Sequence, residues 1–543
     1  MKVLILGGVA AGTKVAAKLK RENRNHEVKI LTDSKDISYA GCGLPYYVGK
    51  VIKDREELIV NTPKSFSELT GVEVITETKV TKINPDDKTV EALDLNSNEN
   101  KEYTYDKLVI ATGASPIKPP LEGMDLDGVF FMRTPEDAIR LRDEIEELKP
   151  RRATVVGGGF IGLEVAENLA VQGMITTVID MAETIPPGFD KEMTDYILNH
   201  LAEHRIMAFT GTKLDSIIGE NGRVKQVKTD KHKMNTDIVV LSIGIRANTQ
   251  FLDGSGVELM PNGTVKVNEY LETNIPNIYA VGDCATVSNR ITNKPAWSPM
   301  GSTANISGRI AAMNINGEQN KYNGALGTAV AQLPGLNIGR TGLTEDEAKK
   351  AGYEAISVVT VVDDKAHYFP GSSLFIIKMT ADKDTKKLLG VQALGLNGSA
   401  VDKIIDIAVT AISLDGDLEK IKDLDLAYAP PFSTAIHPFA HTVNILLNKI
   451  SGDLVSITPQ EYAEGNFDDY KIMDAAIIPE LPNVPHVDLN KLDREVKGFD
   501  KEDKILISCN KGKRSYLVQN RLKHYGYENT VVLEGGSIVN KIK

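Results

Sequence analysis

Only three cysteines, Cys42, Cys284 and Cys509, occur in 543 residues, and none belongs to a Cys-x-x-Cys pair. That scarcity excludes a disulfide-stapled fold and fits a reducing cytosol. Aromatic residues are also sparse at 6%, with a single tryptophan, Trp297, whereas glycines number 45. This balance is more typical of α/β enzymes than of β-sandwiches. Basic residues are outnumbered, 63 Lys+Arg against 74 Asp+Glu, and the net charge of −11 argues against a nucleic-acid-binding surface. No apolar run approaches the roughly 18 residues that a membrane span needs. The run after Met1-Lys2 stops at Gly7-Gly8 and reads as a strand feeding a glycine turn, not as a secretion signal. What remains is a soluble globular chain, 42% hydrophobic and 25% charged, long enough for three or four domains at roughly 150 residues each.

Two stretches repeat one pattern. Lys2–Leu6, the turn Gly7-Gly8-Val9-Ala10-Ala11-Gly12, a helix to about Arg24 and the strand Val28–Thr32 ending at Asp33 form the first. Ala153–Val156, the turn Gly157-Gly158-Gly159-Phe160-Ile161-Gly162, a helix to about Gln172 and the strand Thr176–Ile179 ending at Asp180 form the second. Each is a βαβ unit of the kind that binds a dinucleotide. Glycine is needed in such a turn because backbone N–H groups at a helix start cradle a pyrophosphate that a side chain would block. The second turn keeps the full frame at Gly157, Gly159 and Gly162, and Asp180 can accept from a ribose 2′-hydroxyl while repelling a 2′-phosphate. NADH is therefore favoured over NADPH, and both stay open.

Between the units lies Leu108–Gly113, with the Ala-Thr-Gly turn at Thr112 and Gly113, and after them Ile278–Asp283 reads as a buried strand. Two glycine turns, Ala-Thr-Gly between them and Ala-Val-Gly-Asp after them: this order resembles the two-dinucleotide-binding flavoprotein disulfide reductases. The resemblance implies FAD on the first unit, held by Gly7, Gly8, Ala11, Gly12, Asp33, Thr112 and Gly113, with Asp283 on the flavin ribityl chain, and NAD(P)H on the second. No metal is implied.

Cys42 stands in Ser38-Tyr39-Ala40-Gly41-Cys42-Gly43-Leu44-Pro45-Tyr46-Tyr47, between two glycines at an expected helix start, a position that lowers a thiol pKa. Dithiol reductases need a second cysteine a few residues on, but Tyr47 and Val48 stand there. Cys42 must work alone, cycling between thiolate and a mixed disulfide, persulfide or sulfenate. The segment is similar to that of the single-cysteine branch: coenzyme A-disulfide reductases, NADH oxidases and polysulfide or persulfide reductases. Peroxidases and many oxidases of that branch carry a histidine in the first glycine turn, and Val9-Ala10-Ala11 has none. The resemblance implies a CoA site at Lys14, Lys18 and Arg21, which share a helix face, with Ser38 and Asn305. Gly41, Thr70 and Ile436 depart from the family pattern, which points to a looser site suited to CoA persulfide or other small persulfides. Tyr428, and with it Tyr368, matches a tyrosine that reaches the opposite active site of a homodimer, where a phenol can protonate a leaving thiolate.

The C-terminal block places Cys509 in a loop between the strand Ile505–Ser508 and the helix Ser515–Tyr525. Convergent N–H groups and the cations Lys511, Lys513 and Arg514 would suit an anionic persulfide there. Over about 465–543 it resembles a rhodanese-like sulfurtransferase, shortened after Asp474. Expected domains are 1–115 with 245–322 for FAD, 116–244 for NAD(P)H, an α+β dimerisation domain at 323–450, and a linker with a truncated rhodanese-like domain at 451–543. The expected fold class is α/β throughout, with two Rossmann-type domains. The activity implied is cytoplasmic NAD(P)H-dependent reduction of CoA disulfide, CoA persulfide or polysulfide, with CoA as bound substrate or product and no membrane or nucleic-acid partner. An NADH oxidase and a redox-sensing or sulfur-carrier protein are the alternatives.

Overall fold

Four consecutive apolar residues, Val3 to Leu6, need burial on both faces, and a parallel sheet provides it. In the computed structural model, which describes residues 1–494 and 496–542, Lys2–Leu6 is the central strand of a five-stranded sheet. The order is Ile278–Ala280, Lys107–Ile110, Lys2–Leu6, Glu27–Leu31, Glu73–Ile75, parallel throughout. A second parallel sheet runs Ile206–Phe209, Ile175–Ile179, Arg152–Val156, Ile238–Leu241, Val129–Phe131. Each is accompanied by a three-stranded antiparallel sheet, and the short pair Ala114–Pro116 with Ile245–Ala247 joins the crossing connections.

These sheets belong to one of two compact units, Met1–Glu183 with Arg205–Ala325. Its helices α1 (Ala10–Glu22), α2 (Leu44–Val48), α3 (Pro135–Leu148) and α4 (Phe160–Val171) carry the residues of interest. Helix α1 buries Ala11, Gly12, Val15, Ala16 and Leu19, small enough for the helix Gly301–Ile315 to cross it closely; a Cβ at Gly308 would sit 2.8 Å from the Ala11 carbonyl oxygen. The helices end at Glu22 and Val171, within two residues of the expected limits. Ile278–Asp283 is not one strand. Gly282 takes φ +74°, which breaks the pleat, so Ile278–Ala280 gives way to a tight turn at Gly282–Cys284.

The other unit comprises Thr184–His204 and the chain from Leu326 onward. A five-stranded antiparallel sheet runs Ala329–Leu333, Leu336–Gly342, Leu388–Leu396, Leu374–Asp382, Ala355–Asp363, with the helices Val401–Ser413 and Pro438–Ser451 packed on it. A four-stranded parallel sheet follows, in the order Ser456–Ile457, Thr530–Leu533, Ile505–Ser508, Lys471–Asp474. Buried Glu534 ties it to the edge of the antiparallel sheet. Its carboxylate accepts from the Val359 N–H at 2.8 Å, from Lys449 Nζ at 2.6 Å and from Ser456 Oγ at 2.6 Å.

Lys378, 2% exposed in the middle of the antiparallel sheet, is the largest buried cation. Its Nζ lies 2.7 Å from Glu192, 3.2 Å from Glu345 and 3.3 Å from Asp190, so this ammonium, with Gln392 bonded to Asp190, ties the helix Lys191–Glu203 to the sheet. Burial disfavours that charge, but the three carboxylates outweigh it and raise the ammonium above its ordinary value. Glu345 resists burial through Lys378 and Lys349 and is held down at about 2. Lys378→Met leaves three carboxylates facing one another, so this unit should lose about 3–5 kcal/mol, seen as an earlier calorimetric transition. Because the folded value for Glu345 lies below its unfolded one, its contribution is present above pH 4.5 and is lost as the pH falls towards 2. In the variant that acid dependence should be weaker, since Lys349 and Ser357 still hold Glu345 down.

Candidate active site

In the first glycine turn Gly7 takes φ +109°, and a Cβ there would overlap the Ala111 carbonyl; at Gly12 it would overlap Gly7's own carbonyl. The chain enters α1 with no side-chain cap and no acid in the first turn, so the leading N–H groups keep their positive field. Thr112 and Gly113 are pinned beside the turn: Thr112 Oγ1 donates to the Asn248 carbonyl at 2.7 Å, and the Asn248 N–H donates to the Gly113 carbonyl at 3.0 Å. Asp33 is exposed at the end of Glu27–Leu31. Asp283 accepts from Arg133 Nη2 at 2.8 Å. Cys284 beside it is wholly buried, its sulfur directed to the carbonyls of Ile110 and Val281.

The second turn repeats the geometry, with Gly157 at φ +108° against the Ser242 carbonyl and Gly162 against the Gly157 carbonyl. Gly159 differs: nothing lies within 4 Å of where its Cβ would be. That open space before the uncapped start of α4 suits a pyrophosphate. Asp180 accepts from the Gly158 N–H at 2.6 Å and from the Ala182 N–H at 2.8 Å, which fixes its carboxylate beside the turn. Both turns therefore fit a dinucleotide.

Cys42 lies exposed in the tight turn Gly41–Gly43 that leads into α2. Arg142 of α3 holds this segment from below. Its guanidinium stacks 4.3 Å from the Tyr47 ring centroid and donates to the Lys53 carbonyl at 2.9 Å. Contrary to the lowered thiol pKa expected from a helix start, the chain's own groups push the Cys42 thiol up. Partial desolvation contributes most, then the carboxylates of Glu164 and Asp283; Arg133 opposes them. Five residues of α2 make too small a dipole to reverse that.

Of the residues expected at a CoA site, Lys14 packs beside Gly308 on the helix that also carries Asn305, whose Nδ2 donates to the Gly301 carbonyl. Ser38, at φ +49°, donates its N–H to the Gly8 carbonyl at 2.9 Å, which puts it against the first glycine turn. Arg21 is exposed. Lys18 is engaged with Glu22 within α1, so part of the expected cationic face is neutralised.

In the other unit Tyr428 lies close to Tyr368, which raises its phenol, and the two are 49% and 67% exposed. The Cys509 loop differs from expectation. Cys509 is 2% exposed in an apolar cluster, and one N–H, that of Gly512, reaches its sulfur at 3.2 Å. The loop's cations turn to other acceptors: Lys511 pairs with Asp363 at 2.9 Å, and Arg514 Nε donates to the Ala475 carbonyl at 3.0 Å. Lys513 stands beside His441. A fixed carboxylate or carbonyl competes with the buried sulfur for a cation. Among the described residues, no group of His, Cys, Asp and Glu could hold a metal ion.

Sequence reasoning missed Arg133, Arg142, Glu164 and Glu167. Glu164 carried a signal in standing two residues after Gly162, near the start of α4. Arg133 and Arg142 are a hundred or so residues from what they touch and carried none.

The profile described as pyridine nucleotide-disulphide oxidoreductase matches residues 1–301 and that of its dimerisation domain matches 332–440; a rhodanese-like domain profile matches 446–537. An NADH oxidase of Methanocaldococcus jannaschii is 34% identical over 83% of this chain and 100% of its own. A CoA-dependent NAD(P)H sulfur oxidoreductase of Pyrococcus furiosus is 34% identical over 82% and 99%. The structure of an NAD-dependent persulfide reductase from A. fulgidus matches with a TM-score of 0.94 at 32% identity, covering 99% of this chain and 100% of that one.

Gly159→Ala separates folding from dinucleotide binding. With φ −70° and free space around it, the added methyl should leave the melting temperature in place. Calorimetric titration should show NADH affinity falling about tenfold or more, a loss of at least about 1.4 kcal/mol.

Proposed function

This chain belongs to the pyridine nucleotide-disulphide oxidoreductase family, and from that premise we propose that it uses NAD(P)H to reduce CoA disulfide, CoA persulfide or polysulfide, with Cys42 as its one redox sulfur. One observation carries this reading. Cys42 is the sole exposed cysteine, it stands between two dinucleotide turns, and no second thiol is in its segment. A dithiol cycle would have no second thiol in that segment, which favours a mixed-disulfide cycle. The Cys42 thiolate attacks one sulfur of CoA–S–S–R, the S–S bond breaks, and RS⁻ leaves as CoA thiolate or hydrosulfide. Two electrons from NAD(P)H then cleave Cys42–S–S–CoA, returning the thiolate and releasing CoA. FAD, when bound, supplies the two-electron relay between nicotinamide and sulfur.

Gly7, Gly8, Ala11, Gly12, Asp33, Thr112, Gly113 and Asp283 would hold the flavin, and Gly157, Gly159, Gly162 and Asp180 the nicotinamide dinucleotide, with Asp180 favouring NADH. Lys14, Ser38 and Asn305, with Lys18 and Arg21 at the margin, are assigned to CoA. The dimerisation domain supports a homodimer in which Tyr428 and Tyr368 serve the partner's Cys42. The domains are taken as 1–115 with 245–322, 116–244, 323–450 and 451–543. Sulfur transfer is assigned to Cys509, which would accept a sulfane sulfur and pass it to CoA or to Cys42. Free thiols and the absence, among the described residues, of a helix long and apolar enough to cross a membrane support a place in the cytoplasm. The NADH oxidase name of one relative keeps oxygen in view as an acceptor.

Steady-state assays with CoA disulfide, CoA persulfide, polysulfide and oxygen decide between these. Thiol or sulfide release should account for the NADH consumed, and Cys42→Ser should lower that rate by about 10³-fold or more while FAD content stays at one per chain. NADH loss matched by oxygen uptake, or a Cys42→Ser variant with normal sulfur turnover, would defeat the reading. Cys509→Ala should depress sulfide release from thiosulfate or other indirect donors and leave CoA-disulfide reduction unchanged.

A further inference from the structure

Cys42 and Tyr46 stand four residues apart on the continuous helical stretch formed by Gly41–Gly43 and α2, and so share a face. The Tyr46 hydroxyl donates to Glu164 Oε1 at 3.3 Å. Glu167 follows one turn further along α4, 8% exposed, its Oε2 buried with no hydrogen-bond partner. A thiol and a phenol on one short helical stretch thus meet two carboxyls on the helix packed against it, with the phenol bonded to the nearer carboxyl. Cys42 also faces Asp283 and Arg133, and Tyr46 faces Glu164, Glu167 and Cys42. Arg142, on the neighbouring helix α3, is turned to the Tyr47 ring and to backbone carbonyls instead.

Such a cluster cannot hold several negative charges at once. Burial pushes Glu164 up to about 7, against the bond from Tyr46; it also pushes Glu167 up to about 7, aided by Glu164. Both carboxyls therefore exchange protons near neutral pH, in the range where the thiol must ionise to attack.

We propose that Glu164 and Cys42 compete for a single negative charge, with Tyr46 holding the Glu164 carboxyl against the helix that carries the thiol and Glu167 setting the balance. The working form is a protonated Glu164 beside a Cys42 thiolate. In the exchange the Cys42 S–H bond breaks and its proton leaves to solvent at the exposed thiol, while Glu164 takes one up; no electrons move. When CoA or hydrosulfide leaves, the departing sulfur takes up a proton and Glu164 gives one back. This rests on Cys42 as the redox sulfur but not on which sulfur compound it attacks.

The test is the pH profile of Cys42 alkylation by iodoacetamide in FAD-loaded, thiol-reduced protein, read by peptide mass spectrometry. Glu164→Gln keeps an acceptor for Tyr46 and removes the competing charge. Its midpoint should fall by a unit or more, raising the alkylation rate at pH 7 about tenfold. Glu167→Gln lets Glu164 ionise more readily, so its midpoint should move the opposite way, upward. A Glu164→Gln midpoint that stays or rises, or both variants shifting in one direction with FAD content intact, would overturn the proposal. No sulfur substrate enters this assay, so a wrong substrate assignment shows only in turnover, and a wrong proton assignment only here.

Discussion

The first unit depends on two close backbone approaches, Gly7 against the Ala111 carbonyl and Gly157 against the Ser242 carbonyl. Each is possible only without a Cβ, and each lets a strand turn into an uncapped helix beside the end of a neighbouring strand. Two anion-receptive N–H clusters follow from that contact alone. Everything later in the segment is placed from them. Ser38 bonds to the Gly8 carbonyl, and Cys42 follows on a turn whose continuation is gripped by Arg142.

The electrostatics of that sulfur run against a simple helix-dipole account. Nearby charges contributed by the chain are two carboxylates, Glu164 and Asp283, against one cation, Arg133, which is itself paired with Asp283. A thiolate at Cys42 must therefore be bought by neutralising a carboxyl or by the field of a bound cofactor. An elevated Glu164 makes the first route available near neutral pH. The Cys509 loop is arranged differently, with Lys511 serving Asp363 and Arg514 the Ala475 carbonyl.

Elements with strong local patterns were legible in the sequence. Ile505–Ser508 and Thr530–Leu533 fall where the apolar runs put them, and both glycine turns open helices where their spacing required. Ile278–Asp283 was misread because an apolar run cannot show that Gly282 will take a positive φ. Charge pairing was the least legible. That Lys18 answers Glu22, that Lys511 answers Asp363, and that Arg133 reaches Asp283 across 150 residues are decided by which neighbours the fold supplies. A cationic helix face read from spacing alone does not reveal which of its charges is already spent.

The central claim is that one sulfur per chain does the redox work, and the most direct measurement counts CoA in a single turnover. Thiol-reduced, desalted protein with its FAD oxidised, mixed without oxygen with CoA disulfide, should release one CoA per FAD and carry one CoA on Cys42, located by intact-mass and peptide mass spectrometry. Addition of NADH should then release the second CoA and restore the free thiol. Two CoA released in the first step, or an adduct on Cys284 or Cys509 with Cys42 unmodified, would contradict it.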